Sequence, residues 1–219
     1  MINPIEMGNT DHKVVVERIS AVASYPGYFK EAFGTEEVTI ERITKAIADY
    51  ERTRMSGNSA WDRWRAGDQD AVSDEVKKGS KLFFGDGFCN NCHLGPNLTD
   101  YKFHNIGVGW SRETKKFADV GRYAVTNEPA DTGAFKTPSL RDVSKRAPYM
   151  HDGSIKTLRE VVELYSKGGE PNPHLSRKID RRFAEQLDFT EAQITAVVKF
   201  MEALDGEGYQ DTAPAAFPQ

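Results

Sequence analysis

Apolar residues recur three and four positions apart over much of the chain, a spacing that predicts helices with one buried face. Val15, Ile19 and Val22 share one such face, and Ile40, Ile43, Ile47 and Tyr50 share another, each reading as the inward stripe of an amphipathic helix. Thr157-Leu158-Arg159-Glu160 is a capping box that opens a helix with the apolar face Leu158, Val161, Val162 and Tyr165, ending at Gly168-Gly169. A second box, Thr190-Glu191-Ala192-Gln193, opens a helix carrying Ile194, Val197, Val198 and Met201 on one stripe before Gly206. Between residues 93 and 157 the period fails. About sixty residues rich in Gly, Pro, Asn and Asp show neither a helical nor a strand repeat, which is long for a loop. Such a segment argues against a simple bundle and suits a chain wrapped round a prosthetic group that supplies the missing core. The polar run Arg54-Met55-Ser56-Gly57-Asn58-Ser59 is the best candidate boundary, no internal repeat occurs, and the Pro/Ala stretch after Gly208 reads as a mobile tail.

Composition narrows the class. Charged residues make up 28% of the 219 and mean hydropathy is −0.60, so no stretch approaches the roughly 20 apolar residues of a membrane span. A net charge of −4 and a pI near 5.8 provide no general basic field, which argues against a nucleic-acid partner.

Both cysteines of the chain lie in Cys89-Asn90-Asn91-Cys92-His93, which reads as a C-x-x-C-H attachment site for c-type haem. Two thiols at this spacing can add across the two vinyl groups of one porphyrin, and the histidine that follows then serves as the proximal iron ligand. Half a zinc site and a thioredoxin-type pair are the alternatives. The first needs a second Cys or His pair at fixed spacing and the second a βαβ setting; no second pair occurs, and the flanking sequence reads as helical. A c-type haem is normally attached outside the cytoplasm, so the expected compartment is the periplasm. The opening Met1-Ile2-Asn3-Pro4-Ile5-Glu6 has neither the charged nor the apolar region of a secretory signal, so a signal is expected to have been removed or to belong to a longer chain.

Further stretches carry a resemblance. Leu82-Phe83-Phe84, Cys92-His93-Leu94-Gly95-Pro96-Asn97, Phe103-His104-Asn105, Gly121-Arg122-Tyr123-Ala124-Val125-Thr126, Phe135-Lys136-Thr137-Pro138-Ser139-Leu140-Arg141 and Ala147-Pro148-Tyr149-Met150-His151-Asp152-Gly153 resemble, in order and spacing, the bacterial dihaem cytochrome c peroxidase family that includes the MauG-type enzymes. The resemblance implies an all-α fold: a class I cytochrome c-like haem domain with long irregular haem-wrapping loops, preceded by helices of a first cytochrome c-like domain. Residues 1–55 would be the closing helices of that first, peroxidatic domain, 56–208 the second haem domain and 209–219 the tail. Asn3-Pro4-Ile5-Glu6-Met7-Gly8-Asn9 looks like the family segment whose glutamate is the acid/base group beside the first haem. That haem's own attachment motif is expected upstream of Glu6, and the part that bears it would be a separate partner chain, a removed segment, or never made.

The sixth iron ligand sets the redox character. In the family's peroxidases a methionine ligates the second haem from fourteen residues beyond the histidine of the Pro-Tyr-x-His motif, and fourteen residues beyond His151 is Tyr165. This departure resembles the MauG-type variant with an axial tyrosine. An ordinary core tyrosine is the plain alternative, and Met150 is the rival ligand. Phenolate, a hard anionic donor, stabilises ferric iron, whereas thioether sulfur raises the potential. A tyrosine-ligated haem would suit charge sharing with the first haem at high oxidation state.

By resemblance His151 lies near the space between the haems, and a calcium ion there takes main-chain carbonyls of Arg146 and Pro148. Two oxygens do not make a calcium site by themselves. Arg122 and Arg141 are candidate partners for the haem propionates, with plain salt bridges as the alternative. His104 could join the haem's hydrogen-bond network, whereas His12 and His174 read as surface or loop residues. Trp61, Trp64 and Trp110 could relay electrons but more often such rings are packing. Lys77, Lys78 and Lys81 could steer an acidic donor, although a solvated helix face is the simpler reading.

The implied function is a c-type haem oxidoreductase in which electrons pass through the haem on His93 to or from a first haem that cleaves hydrogen peroxide. It would either reduce peroxide with electrons from a small redox protein or oxidise a large substrate as MauG-type enzymes do. A non-enzymatic electron-transfer cytochrome c is the alternative, and a homodimer is allowed.

Overall fold

The computed structural model describes residues 2, 4, 7–54, 56–180 and 187–208. Glu6 and the tail 209–219 lie outside them. The chain divides into two compact units, with Ser56–Glu207 forming the larger.

The smaller unit carries α1 (His12–Ser20), α2 (Tyr25–Phe33) and α3 (Ile40–Thr53). Asp11 and Thr39 cap α1 and α3 by accepting from the amides of Lys13 and Arg42, which satisfies donors that the first turn leaves free. Val15, Phe29 and Ile43 form the buried centre. The expected stripes are only partly used. Val22 lies past the end of α1, in the turn that leads to Pro26 in the first turn of α2. On α3 burial stops at Ile43, while Ile47 and Tyr50 are 42% and 58% exposed.

The larger unit contains α4 (Ala60–Arg65), α5 (Asp74–Phe84), α6 (Tyr123–Thr126), α7 (Leu158–Ser166), α8 (Arg177–Asp180) and α9 (Glu191–Glu202). Both capping boxes form as the sequence predicts: Thr157 pairs with Glu160 at α7 and Thr190 with Gln193 at α9. A third, Ser59 with Asp62, starts α4. The apolar faces of α5, α7 and α9 meet in one core that includes Phe83, Leu158, Val162, Val197 and Phe200. Trp61 stacks on Phe84 and meets Phe200 edge-on.

Gly79 sets how closely α5 and α9 approach. A Cβ there would lie 1.9 Å from the Ala196 carbonyl oxygen, a backbone atom that no rotamer change can move. Gly79→Ala is therefore expected to cost about 3 kcal/mol, the upper end of overpacking penalties, and to lower the thermal midpoint of the larger unit. An unchanged midpoint would mean that the two helices separate freely.

The long irregular segment is not wholly without regular structure. It contains β1 (Phe103–His104), β2 (Trp110–Ser111), β3 (Lys116–Phe117) and β4 (Phe135–Lys136), paired antiparallel as β1–β4 and β2–β3. Two-residue strands are too short to show a period of two. The segment buries apolar side chains such as Leu98, Val108, Phe117 and Leu140, and buried polar contacts hold it as well. Asn105, 2% exposed, donates to the Thr132 carbonyl at 2.7 Å and accepts from the Gly107 amide at 2.8 Å. Its amide oxygen also accepts from Asn172 at 3.1 Å. Gly107, at φ 89°, has the Glu170 carbonyl oxygen 2.0 Å from where a Cβ would stand. These contacts supplement the two short ladders in fixing the segment, as satisfied buried amides can.

Candidate functional site

After α5 the chain turns through Phe88, in the left-handed region at φ 52°, into a short 3-10 turn at Cys89–Asn91. The His93 amide donates to the Cys89 carbonyl at 2.9 Å, so the two thiols and the imidazole come off one compact turn. All three line a cavity of about 660 Å³, within the size range of cofactor pockets. Both cysteines are free. Burial pushes the Cys89 thiol up to about 12 and raises that of Cys92, the latter against the pull of the Lys178 ammonium.

His93 Nδ1 lies 2.9 Å from the Leu98 carbonyl oxygen. A carbonyl only accepts, so Nδ1 carries the proton and Nε2 is left with its lone pair, the state an iron ligand needs. Burial holds the imidazole below its usual range, which likewise keeps it neutral.

The cavity collects many of the residues singled out in the sequence. Tyr165 lines it together with Val161 and Val162 from the same face of α7. The Tyr165 ring packs with Ile179 and Leu187, and burial, reinforced by the neighbouring Cys92 and Cys89, raises its hydroxyl well above the ordinary value. Met150 and His151 line the cavity too; the His151 ring stacks on Phe135 with centroids 3.6 Å apart and planes 10° apart. Arg146 and Pro148 also border it.

The two arginines are already engaged. Arg141 reaches the cavity, but its guanidinium donates to Asp62 at 2.6 Å and to the Pro96 carbonyl at 2.9 Å. Asp62 is held below the usual carboxylate range: burial opposes this, but hydrogen bonds from Arg141 and Ser59 prevail. Arg122 donates to Asp131 at 3.2 Å and lies over the Phe103 ring at 4.1 Å. It is not among the cavity residues.

Trp61 and Trp64 pack against the helical core, and Trp110 lies on β2 with its ring 4.9 Å from Phe117. Lys78 and Lys81 sit beside Gln193 of α9 in a separate shallow depression; none of Lys77, Lys78 and Lys81 borders the cavity. His12 begins α1, and the His174 amide donates to Asn172.

Sequence reasoning passed over Asp100 and Lys178. Asp100 accepts from His104 Nε2 at 2.8 Å, from Lys178 Nζ at 3.1 Å and from the Lys102 amide at 2.9 Å. The one signal was the spacing of an aspartate four residues before a histidine; Lys178 had none.

Two family descriptions match the chain: "Di-haem cytochrome c peroxidase" over residues 1–70 and "Cytochrome c" over residues 76–205. Among curated relatives, the methylamine utilization protein MauG of Methylorubrum extorquens is 38% identical over 212 residues, 96% of this chain and 57% of that protein. The cytochrome c551 peroxidase of Nitrosomonas europaea is 35% identical over 94% of this chain and 56% of its own length. The chain thus spans little more than half of the relatives it matches. A solved MauG-like protein associated with microbial copper homeostasis superposes with a TM-score of 0.76 at 31% identity, over 93% of this chain and 65% of that one. The dihaem peroxidase BthA of Burkholderia thailandensis, 20% identical with a TM-score of 0.67, shares the fold. Likeness that runs through both units at this level of identity settles the relationship: the chain belongs to the bacterial dihaem cytochrome c peroxidase/MauG family, which implies haem c.

Proposed function

We propose that this chain is the electron-handling haem portion of a dihaem peroxidase/MauG-type oxidoreductase, in which Cys89 and Cys92 would join one haem c and His93 and Tyr165 would hold its iron. The observation that carries the reading is one cavity bordered by both thiols, an imidazole with its Nδ1 already committed to Leu98, and a half-buried tyrosine. The donor set fits haem c: two thiols for covalent attachment, a neutral imidazole and a hard oxygen donor. When bound, the haem supplies a centre that takes up and releases single electrons. The protein's part is to orient His93 through the Leu98 carbonyl, to keep water out with Val161, Val162 and Leu158, and to present the Tyr165 oxygen.

A tyrosine rather than a methionine at this position favours the MauG-type version over plain peroxide reduction. In either version a first haem, which a further segment or a partner chain would hold, would supply the peroxide chemistry, with Glu6 as the acid/base group. Residues 1–55 are then the closing helices of that first domain, with 56–208 the second haem domain. The exposed Ile47 and Tyr50 on α3 support further packing there. On this reading a small redox protein would exchange electrons with the haem held by this chain, the compartment would be the periplasm, and a homodimer is compatible. The carbonyls of Arg146 and Pro148 would be two of the six to eight oxygens that a calcium ion takes. Arg141 would reach a propionate only by exchanging its Asp62 partner. No described helix is long and apolar enough to cross a membrane.

The test is peroxide consumption by the chain joined to a first-haem segment, with a reduced small redox protein as donor. Glu6→Gln is expected to lower turnover by about 100-fold or more, as for loss of a general acid/base. Equal turnover in the Gln variant would overturn the role of Glu6, and turnover by the chain with no second haem would overturn the division of labour.

A further inference from the structure

The Asp100 carboxylate is 6% exposed and receives hydrogen bonds from His104, Lys178 and the Lys102 amide. Lys178 donates also to the Asn91 carbonyl at 2.6 Å, inside the turn that carries both cysteines. One ligand-type atom each from Cys92, Asp100 and His104 lie within 4.8 Å of one another, and both His104 and Lys178 border the cavity. His104 Nδ1 faces the Ser176 hydroxyl at 3.4 Å. An anion and a cation are therefore fixed side by side at the Cys92 corner of the cavity, on segments far apart in sequence. Burial alone would favour neutral Asp100, but the hydrogen bonds outweigh it and hold the carboxyl well below its usual range. The group is ionised across the neutral range.

We propose that Asp100 and Lys178 are an opposed pair of positioning charges that set the reduction potential of the haem attached at Cys92, Asp100 favouring the oxidised iron and Lys178 the reduced. This rests on the haem attachment proposed above. Oxidised iron carries one more positive charge than reduced iron, so a fixed anion nearby stabilises it and a fixed cation destabilises it. Asp100 is buried and little screened, whereas Lys178, 39% exposed, is partly screened by solvent, so its effect is the smaller. Present together, the two partly cancel. Removing either exposes the other, so the two substitutions act with opposite sign. A role confined to holding the fold would not have this signature, because each loss would loosen the same cluster.

The test is a redox titration of the full, haem-loaded chain followed by its absorption spectrum. Asp100→Asn is expected to raise the midpoint potential and Lys178→Gln to lower it, each shifting the ferric/ferrous ratio at fixed potential several-fold, with the double variant returning towards the parent. Shifts of the same sign, no shift in either, or a Lys178→Gln chain that no longer takes up haem would overturn the proposal. Should Asp100→Asn fail to load, the Lys178→Gln potential must still fall for the proposal to stand. A parent chain that itself carries no covalent haem overturns the attachment on which both readings depend, and a loaded parent with unresponsive variants overturns this one alone.

Discussion

Replacing Cys89 and Cys92 together with alanine is expected to abolish covalent haem attachment and to leave the larger unit markedly less stable. The first effect follows from chemistry: no other cysteine exists in the chain, so no thioether can form. The second follows from packing. The cavity of about 660 Å³ is bordered largely by apolar side chains from α5, α7, α9 and the irregular segment, among them Phe83, Leu158 and Val197. Without a prosthetic group these walls lose contacts on one side, and cavities cost stability in proportion to their volume. The single substitutions should give intermediate results, with one thioether and reduced yield. Haem staining after denaturing electrophoresis reads the covalent bond, and thermal melting followed by circular dichroism reads the stability. Haem that remains with the double variant through denaturation would show that attachment does not use these thiols.

The sequence made visible what depends on neighbours along the chain. α7 and α9 were legible from capping boxes and a stripe at helical spacing, because both signals fall within two turns. The thiol turn was legible for the same reason, as was the place of Tyr165 on the α7 face, which borders the cavity. α2 and α4 were not marked, since nine and six residues with Pro26 or a Trp pair show little periodicity. The four strands escaped because each is two residues long. The remaining differences concern partners distant in sequence. Arg141 finds Asp62 seventy-nine positions away and Lys178 finds Asp100 seventy-eight away, and neither spacing leaves a local pattern. The stripe of α3 shows the converse: periodicity marks Ile47 and Tyr50 as apolar positions but cannot say what covers them.

Tyr165→Phe is expected to move the ferric spectrum away from a six-coordinate His/Tyr form and to raise the midpoint potential, while the fold survives. The substitution keeps the ring that packs with Ile179 and Leu187 and removes only the oxygen, so its cost in stability should be about 1 kcal/mol, that of one hydrogen-bonding group. The electronic effect is larger, because an anionic oxygen donor stabilises ferric iron and its loss favours the reduced state. Met150→Leu is the matched control. Met150 borders the same cavity from a left-handed turn at φ 71°, and Leu is a volume-conserving replacement that costs less than about 1.5 kcal/mol in a core. With Tyr165 as ligand, the Leu variant keeps the parent spectrum and potential. An unchanged spectrum in Tyr165→Phe together with an altered one in Met150→Leu would instead assign His/Met ligation. The haem would then be a higher-potential electron store, and the reading would shift from MauG-type oxidation to ordinary peroxide reduction. Absorption spectra and redox titrations of the two variants therefore decide between the two versions of the chemistry, without any knowledge of the physiological substrate.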